Sequence, residues 1–325
     1  MPRTTICLGA AACAIMLSAC GTDGDPAEAA NSATGGSGPR NTWEGGAGGV
    51  LTGTSLTADH ASVERFGDLS SSCVESIQSE LALSYGHTSH GSQIVSGMEV
   101  LASLDPTYTF VDDLAYYQGG SGESAAAGQL SLWDAFPGFG ASDLGAPDRT
   151  TWEAATRRML DNSEADFAVF PHHRSVVVWS WCGQAGTATE EDIDTYLGLM
   201  AGLERDYPDV TFVYMTGHLD GTGLDGTLHH SNQQIRAHVG ADPSRVLFDF
   251  ADIESYDPDG NYYLDRGAND NCDYDNGNWA EEWCAAHAED VLCEPCSCAH
   301  SQALNCNRKA RAFWWLLARI VGCAD

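Results

Sequence analysis

The chain has 325 residues, with 15 Lys and Arg against 46 Asp and Glu, and a formal charge of −31. So acidic a surface repels phosphate backbones and anionic headgroups, which argues against a nucleic-acid partner and favours solubility, cationic ligands or calcium. Only one apolar stretch, at the very start, stands out from the pattern of a folded domain.

That start reads as an export signal. Arg3 supplies a positive n-region, residues 6–16 a short apolar core, and Leu17-Ser18-Ala19-Cys20 a small-residue cleavage site ending in Cys, as in a bacterial lipobox. The run is too short to span a bilayer. Residues 1–20 are therefore expected to be a lipoprotein signal peptide, with Cys20 lipidated. The protein is expected to be exported to the outer membrane or cell surface, touching membrane through the lipid anchor alone. Residues 21–59 are mostly Gly, Ala, Ser and Asp with few large apolar side chains, the composition of a flexible tether. Residues 60–325, about 265 positions, suit one large domain.

Within that domain, a short apolar strand over 81–85 runs into Gly86-His87-Thr88-Ser89-His90-Gly91 and then a helix reaching about Met98. A hydroxyl in a Gly-flanked turn between strand and helix has free N–H groups around it to hold an oxyanion, although such a serine is often only an N-cap. Residues 175–181 form a continuous apolar run, the signature of a strand buried on both faces. Thr189 caps a helix whose apolar positions Ile193, Tyr196, Leu197, Met200 and Leu203 recur at helical spacing, ending before Pro208. A strand over 210–215, a helix over about 229–239 and a strand over 246–250 follow. This alternation predicts an α/β fold with a parallel sheet covered by helices. Ligands in such sheets bind beyond the carboxyl ends of the strands. Those ends present Ser89, Cys182-Gly183-Gln184, Thr216-Gly217-His218, Asp249 and Asp252. A last helix over about 308–321 is preceded by His300, which is placed to reach the strand ends as a base for serine.

Beyond the first twenty residues stand Cys73, Cys182, Cys272, Cys284, Cys293, Cys296, Cys298, Cys306 and Cys323, an odd set. Export predicts disulfides with one thiol left over, assigned here to Cys182, and the crowding after 272 predicts a braced, loop-rich insertion over about 255–299. Zinc on Cys293, Cys296, Cys298 and His300 is the competing reading. Asp257, Asp259, Asn261 and Asp265 set oxygen side chains around Gly260 like the opening of a calcium loop, level with a plain Asx turn. Such an ion would be structural; no catalytic cofactor is required. Trp279, Trp283, Tyr262 and Tyr263 suit either sugar stacking or core packing. His87, His90 and His218 are expected around the mouth of the site as substrate-binding groups. With Asp249 or Asp252 they are also a candidate metal centre.

Tyr85-Gly86-His87-Thr88-Ser89-His90-Gly91, Trp179-Ser180-Trp181-Cys182-Gly183-Gln184, and His300 ahead of the last helix together resemble the SGNH (GDSL-like) hydrolase superfamily over about residues 80–322. The resemblance implies a three-layer, flavodoxin-like α/β/α sandwich and hydrolysis of esters, often acyl groups on carbohydrates or lipids. It implies Ser89 as nucleophile, His300 as base, and Gly183 and Gln184 in the oxyanion segment. Two positions depart from the family pattern. Gly86-His87-Thr88-Ser89 replaces Gly-Asp-Ser, which leaves Ser92 as an alternative nucleophile, and Ser297 stands where the base's Asp partner is usual. A surface esterase acting on acetylated carbohydrate is thus expected, with a non-catalytic glycan-binding lipoprotein as the rival.

Overall fold

The computed structural model describes residues 55–161, 165–169 and 174–324. The expected leader with Cys20, and the tether up to residue 54, lie outside the described residues. Seven strands build one sheet: β1 (Leu56–Ala58), β2 (Ala82–Gly86), β3 (Phe110–Asp112), β4 (Leu130–Asp134), β5 (Val176–Trp179), β6 (Thr211–Met215) and β7 (Val246–Phe248). Their order is β1-β7-β6-β5-β2-β4-β3 and every pairing is parallel. β1 falls inside the stretch expected to be tether. Leu56 and Ala58 are buried and pair with Val246 and Phe248, so three residues suffice to add an edge strand. β3 and β4 escape the pattern reading because Asp112, Ser131 and Asp134 interrupt their apolar runs.

Helices cover both faces, in a three-layer α/β/α arrangement. One side carries α1 (His60–Arg65), α2 (Ser71–Glu80), α3 (Ser92–Leu104), α8 (Phe250–Ser255) and α10 (Ala303–Ile320); the other carries α5 (Thr151–Leu160), α6 (Glu190–Asp206) and α7 (Thr227–Gly240). The remaining helices are α4 (Leu114–Tyr117) after β3 and α9 (Trp279–Ala286) in the C-terminal insertion. The period of two in a strand divides the core. Val176 and Val178 of β5 enter one hydrophobic cluster, while Val177 and Trp179 enter the other. Thr189 caps α6 in a capping box with Asp192, as the sequence predicts.

The last helix differs from expectation. It begins at Ala303 and is buried nearly all round, including Arg308 and Lys309. The reason lies in its neighbours: it packs against α1, α2, α3 and α8 at once. A Cβ on Gly97 would collide with the Cys306 carbonyl, so glycine allows α3 and α10 to touch backbone to backbone. This contact sets the amino-terminal end of α3, just after Ser89, beside that of α10, just after His300.

The C-terminal insertion forms its own small core around Leu219, Tyr263, Leu264, Trp279, Trp283 and Leu292. Disulfides Cys284–Cys293 and Cys298–Cys306 brace it, and Cys73–Cys323 ties α2 to the chain's end. The described free cysteines are Cys272 and Cys296; Cys182 is not one of them, contrary to expectation. The zinc set on Cys293, Cys296, Cys298 and His300 does not form, because two of its sulfurs are oxidised into separate disulfides.

Candidate active site

Ser89 sits just past the end of β2, in a turn fixed from several sides. A side chain on Gly86 would run into the Trp179 ring, so the strand can end there only as glycine. The Tyr85 hydroxyl donates to the Gly91 carbonyl at 2.9 Å, and the Thr88 hydroxyl donates to Asp143 at 2.6 Å. Ser92, the alternative nucleophile, donates its hydroxyl to the Ser89 carbonyl at 2.7 Å, the job of a helix-starting serine. Ser89 Oγ instead points out of the turn and lies 2.9 Å from His300 Nε2. The hydroxyl can donate directly to that nitrogen.

No carboxylate lies within ion-pair distance of His300 among the described residues. Other features position the ring. Cys298–Cys306 closes a short loop around it, and its own backbone adopts a left-handed φ of 60°, sparsely populated for a residue with a Cβ. The preceding carbonyl, of Ala299, accepts the Gln93 side-chain amide at 2.6 Å. Gln93 in turn accepts from the buried Lys309 ammonium, which also donates to Glu254 at 2.5 Å. Glu254 accepts the Leu219 N–H at 2.7 Å through its other oxygen. One buried polar network thus joins α3, α8, α10 and the loop carrying His218.

Three imidazoles stack in the site. His90 lies between His218, centroid to centroid 4.0 Å, and His300 at 4.5 Å, all nearly parallel. His90 Nε2 is 2.9 Å from Asp270 Oδ2 and Nδ1 is 3.4 Å from Cys182 Sγ. Burial pushes the His90 pKa down to about 4, against the upward pull of Asp270, and the neighbouring His218 and His300 push it further down. The ring is therefore neutral at pH 7. Burial alone would raise the Asp270 carboxyl, but His90, His218 and the Asn271 N–H together hold it below the usual carboxylate range. Asp270, Asn271, Cys298, His300 and Ser301 line an open cleft of about 350 Å³ beside the serine.

The other expected site residues are placed differently. Gln184 is engaged at both ends of its side-chain amide. Its Nε2 donates to Asp143 at 3.2 Å and its Oε1 accepts the Cys182 N–H at 3.0 Å, so its amide braces the loop beneath the turn. The backbone N–H groups of Ser89 and Gly183 have no hydrogen-bond partner among the described residues. His87 stands apart, 2.5 Å from Asp134 at the end of β4. Asp249 binds Arg236 through both oxygens and Asp252 binds His60, so neither joins the histidines. Asp257 is saturated by the N–H groups of Asp259 and Asn261, the Asn261 amide and the Tyr263 hydroxyl. Asp257, Asp259 and Asp265 do not converge as a ligand set among the described residues, and the loop is an Asx turn. Trp279, Trp283 and Tyr263 are buried in the insertion's core, the packing alternative to sugar stacking.

Asp143, which the sequence did not single out, and Asp270, which it offered only as a further ligand for the calcium loop, carry parts of this site. Neither lies in a recognisable spacing with Ser89 or His300; Asp143 comes from the segment between β4 and α5, and Asp270 from the segment between α8 and α9. The scan of family models found no match to the chain, and neither did the searches of curated proteins and of solved structures.

Proposed function

We propose that this protein is a serine ester hydrolase working through a Ser89–His300 dyad, in the manner of the SGNH hydrolases that its sequence resembles. The observation that carries the reading is the 2.9 Å contact between Ser89 Oγ and His300 Nε2 at the carboxyl edge of a parallel sheet. In this mechanism His300 takes the Ser89 proton as the oxygen attacks the ester carbonyl. The Ser89 and Gly183 N–H groups receive the negative charge that develops on the carbonyl oxygen. His300 returns the proton to the leaving alcohol, and then activates water to release the acyl group. Stacking on His90 and the Cys298–Cys306 loop replace the missing carboxylate as the means of aiming the base. The cleft is small and its walls are polar, which suits a short acyl group on a hydrophilic carrier such as acetylated carbohydrate. The lipobox reading places that activity on the outside of the cell.

The test is hydrolysis of p-nitrophenyl acetate and of acetylated polysaccharide by the full-length chain. Ser89→Ala and His300→Ala should each abolish turnover, while Ser92→Ala retains it. Turnover that persists in Ser89→Ala sinks the assignment.

A further inference from the structure

We propose that His90, His218 and Asp270 form a binding site for one zinc-class divalent cation, and this site stands whether or not Ser89 hydrolyses esters. One ligand atom from each of the three residues lies within 4.8 Å of the other two. Nitrogen and oxygen atoms that share a zinc ion at about 2.0–2.2 Å lie up to roughly 4 Å apart; His90 and His218, stacked face to face at 4.0 Å, rotate out of that stack to aim both lone pairs at one ion. Two imidazoles and one carboxylate, with positions left open, select a transition-metal ion such as zinc over calcium or magnesium, which take oxygen ligands.

The surroundings prepare these atoms as ligands. His218 Nδ1 lies 2.6 Å from the Leu219 carbonyl, which only accepts. Nδ1 is therefore the donor to that carbonyl, which leaves Nε2 as the ligand atom, the orientation that metal-ligating histidines acquire from a backbone carbonyl. That carbonyl belongs to a residue whose N–H is fixed by buried Glu254. Asp270 receives the Asn271 N–H on Oδ1 at 2.9 Å, leaving Oδ2 aimed at His90 Nε2. His90 is buried beside both of its partners, with Nε2 2.9 Å from Asp270 Oδ2. The three ligands come from three separate segments: the turn after β2, the loop after β6 and the C-terminal insertion. Asp270 and His300 line the same cleft, so the site borders the space beside Ser89. The only other convergent set among the described residues, Cys296 with Cys298 and Cys306, has two of its sulfurs tied in a disulfide.

Calorimetric titration of the chelator-stripped full-length protein with zinc chloride tests the site. One zinc per chain is expected. Asp270→Asn and His218→Ala should each weaken binding by about 100-fold or more, beyond the loss that follows from removing an outer-shell partner alone. Ser89→Ala should bind as the parent does, which separates failure of the metal site from failure of the hydrolase reading. A second measurement needs no variant: zinc should protect the partly exposed His218 from diethyl pyrocarbonate while exposed His230 reacts as before. Absence of saturable binding, full affinity in both ligand variants, or zinc that leaves His218 unprotected would each overturn the proposal.

Discussion

Replacing Glu254 with Gln tests the polar network under the site. Glu254 and Lys309 are both fully buried, their side chains meet at 2.5 Å, and the ammonium lies 3.7 Å from the centre of the Phe250 ring. Burial raises the Glu254 pKa and lowers that of Lys309, and mutual attraction opposes both shifts. The substituted amide would keep an acceptor for the Leu219 N–H but leave Lys309 without a countercharge. Breaking one side of such a pair costs about 3–5 kcal/mol. The fold can escape part of this by releasing the Lys309 proton, which for an ordinary lysine at pH 7 costs at most about 5 kcal/mol. Urea unfolding of Glu254→Gln should therefore show a loss of about 3–5 kcal/mol at pH 7. Lys309 would then be protonated mainly when unfolded, so the variant's stability should rise as pH increases towards the ordinary lysine pKa. Adding Lys309→Met removes the orphaned charge and should recover all but about 1–2 kcal/mol. A loss below about 1 kcal/mol in the single variant, or a double variant no more stable than the single, would refute the reasoning.

Other outcomes follow from the same structure. Cys298→Ser with Cys306→Ser opens the loop of sequence separation 8 that holds His300, and should cost about 2–3 kcal/mol in thermal unfolding. It should also lower kcat for ester hydrolysis; unchanged kcat would show that the disulfide does not aim the base. Gly97→Val forces a side chain into the Cys306 backbone, and should destabilise by about 3 kcal/mol or more in denaturant unfolding, at or beyond the usual range for overpacking. His60 and Asp252 form a half-buried pair at 2.5 Å, with the His60 pKa raised despite burial, through Asp252, and that of Asp252 lowered. The raised histidine contributes fully below its unfolded pKa of about 6.5 and loses that contribution as pH passes its higher folded value. Stability should thus fall by about 1 kcal/mol between pH 6 and pH 9 in the parent, measured against His60→Gln; an identical slope in both proteins would count against the pair.

Much of the scaffold is legible in the chain. The all-apolar run of β5, the Thr189 capping box and the helical spacing of Ile193 to Leu203 each report a local preference, and local preferences survive folding when they agree with the sheet's demands. The turn from Tyr85 to Gly91 and the placement of His300 before the last helix are visible for the same reason. The strands β1, β3 and β4 are not, since Thr57, Asp112, Ser131 and Asp134 interrupt their apolar runs and they owe their state to the neighbours they pair with. Cys182 is similarly opaque, because spacing does not decide which sulfurs meet.

By itself the sequence determined an α/β chain with a serine and a histidine at opposite ends of its parallel-sheet region, because strand and helix periods are written in adjacent residues. Only the tertiary structure decided that these two meet at 2.9 Å, that Gln184 turns to Asp143, and that His90, His218 and Asp270 converge. Those outcomes depend on α3 and α10 touching at Gly97 and on the buried Lys309–Glu254 pair, whose members stand 55 positions apart in the chain. Such contacts are set by packing and desolvation across the whole core, and no local pattern encodes them.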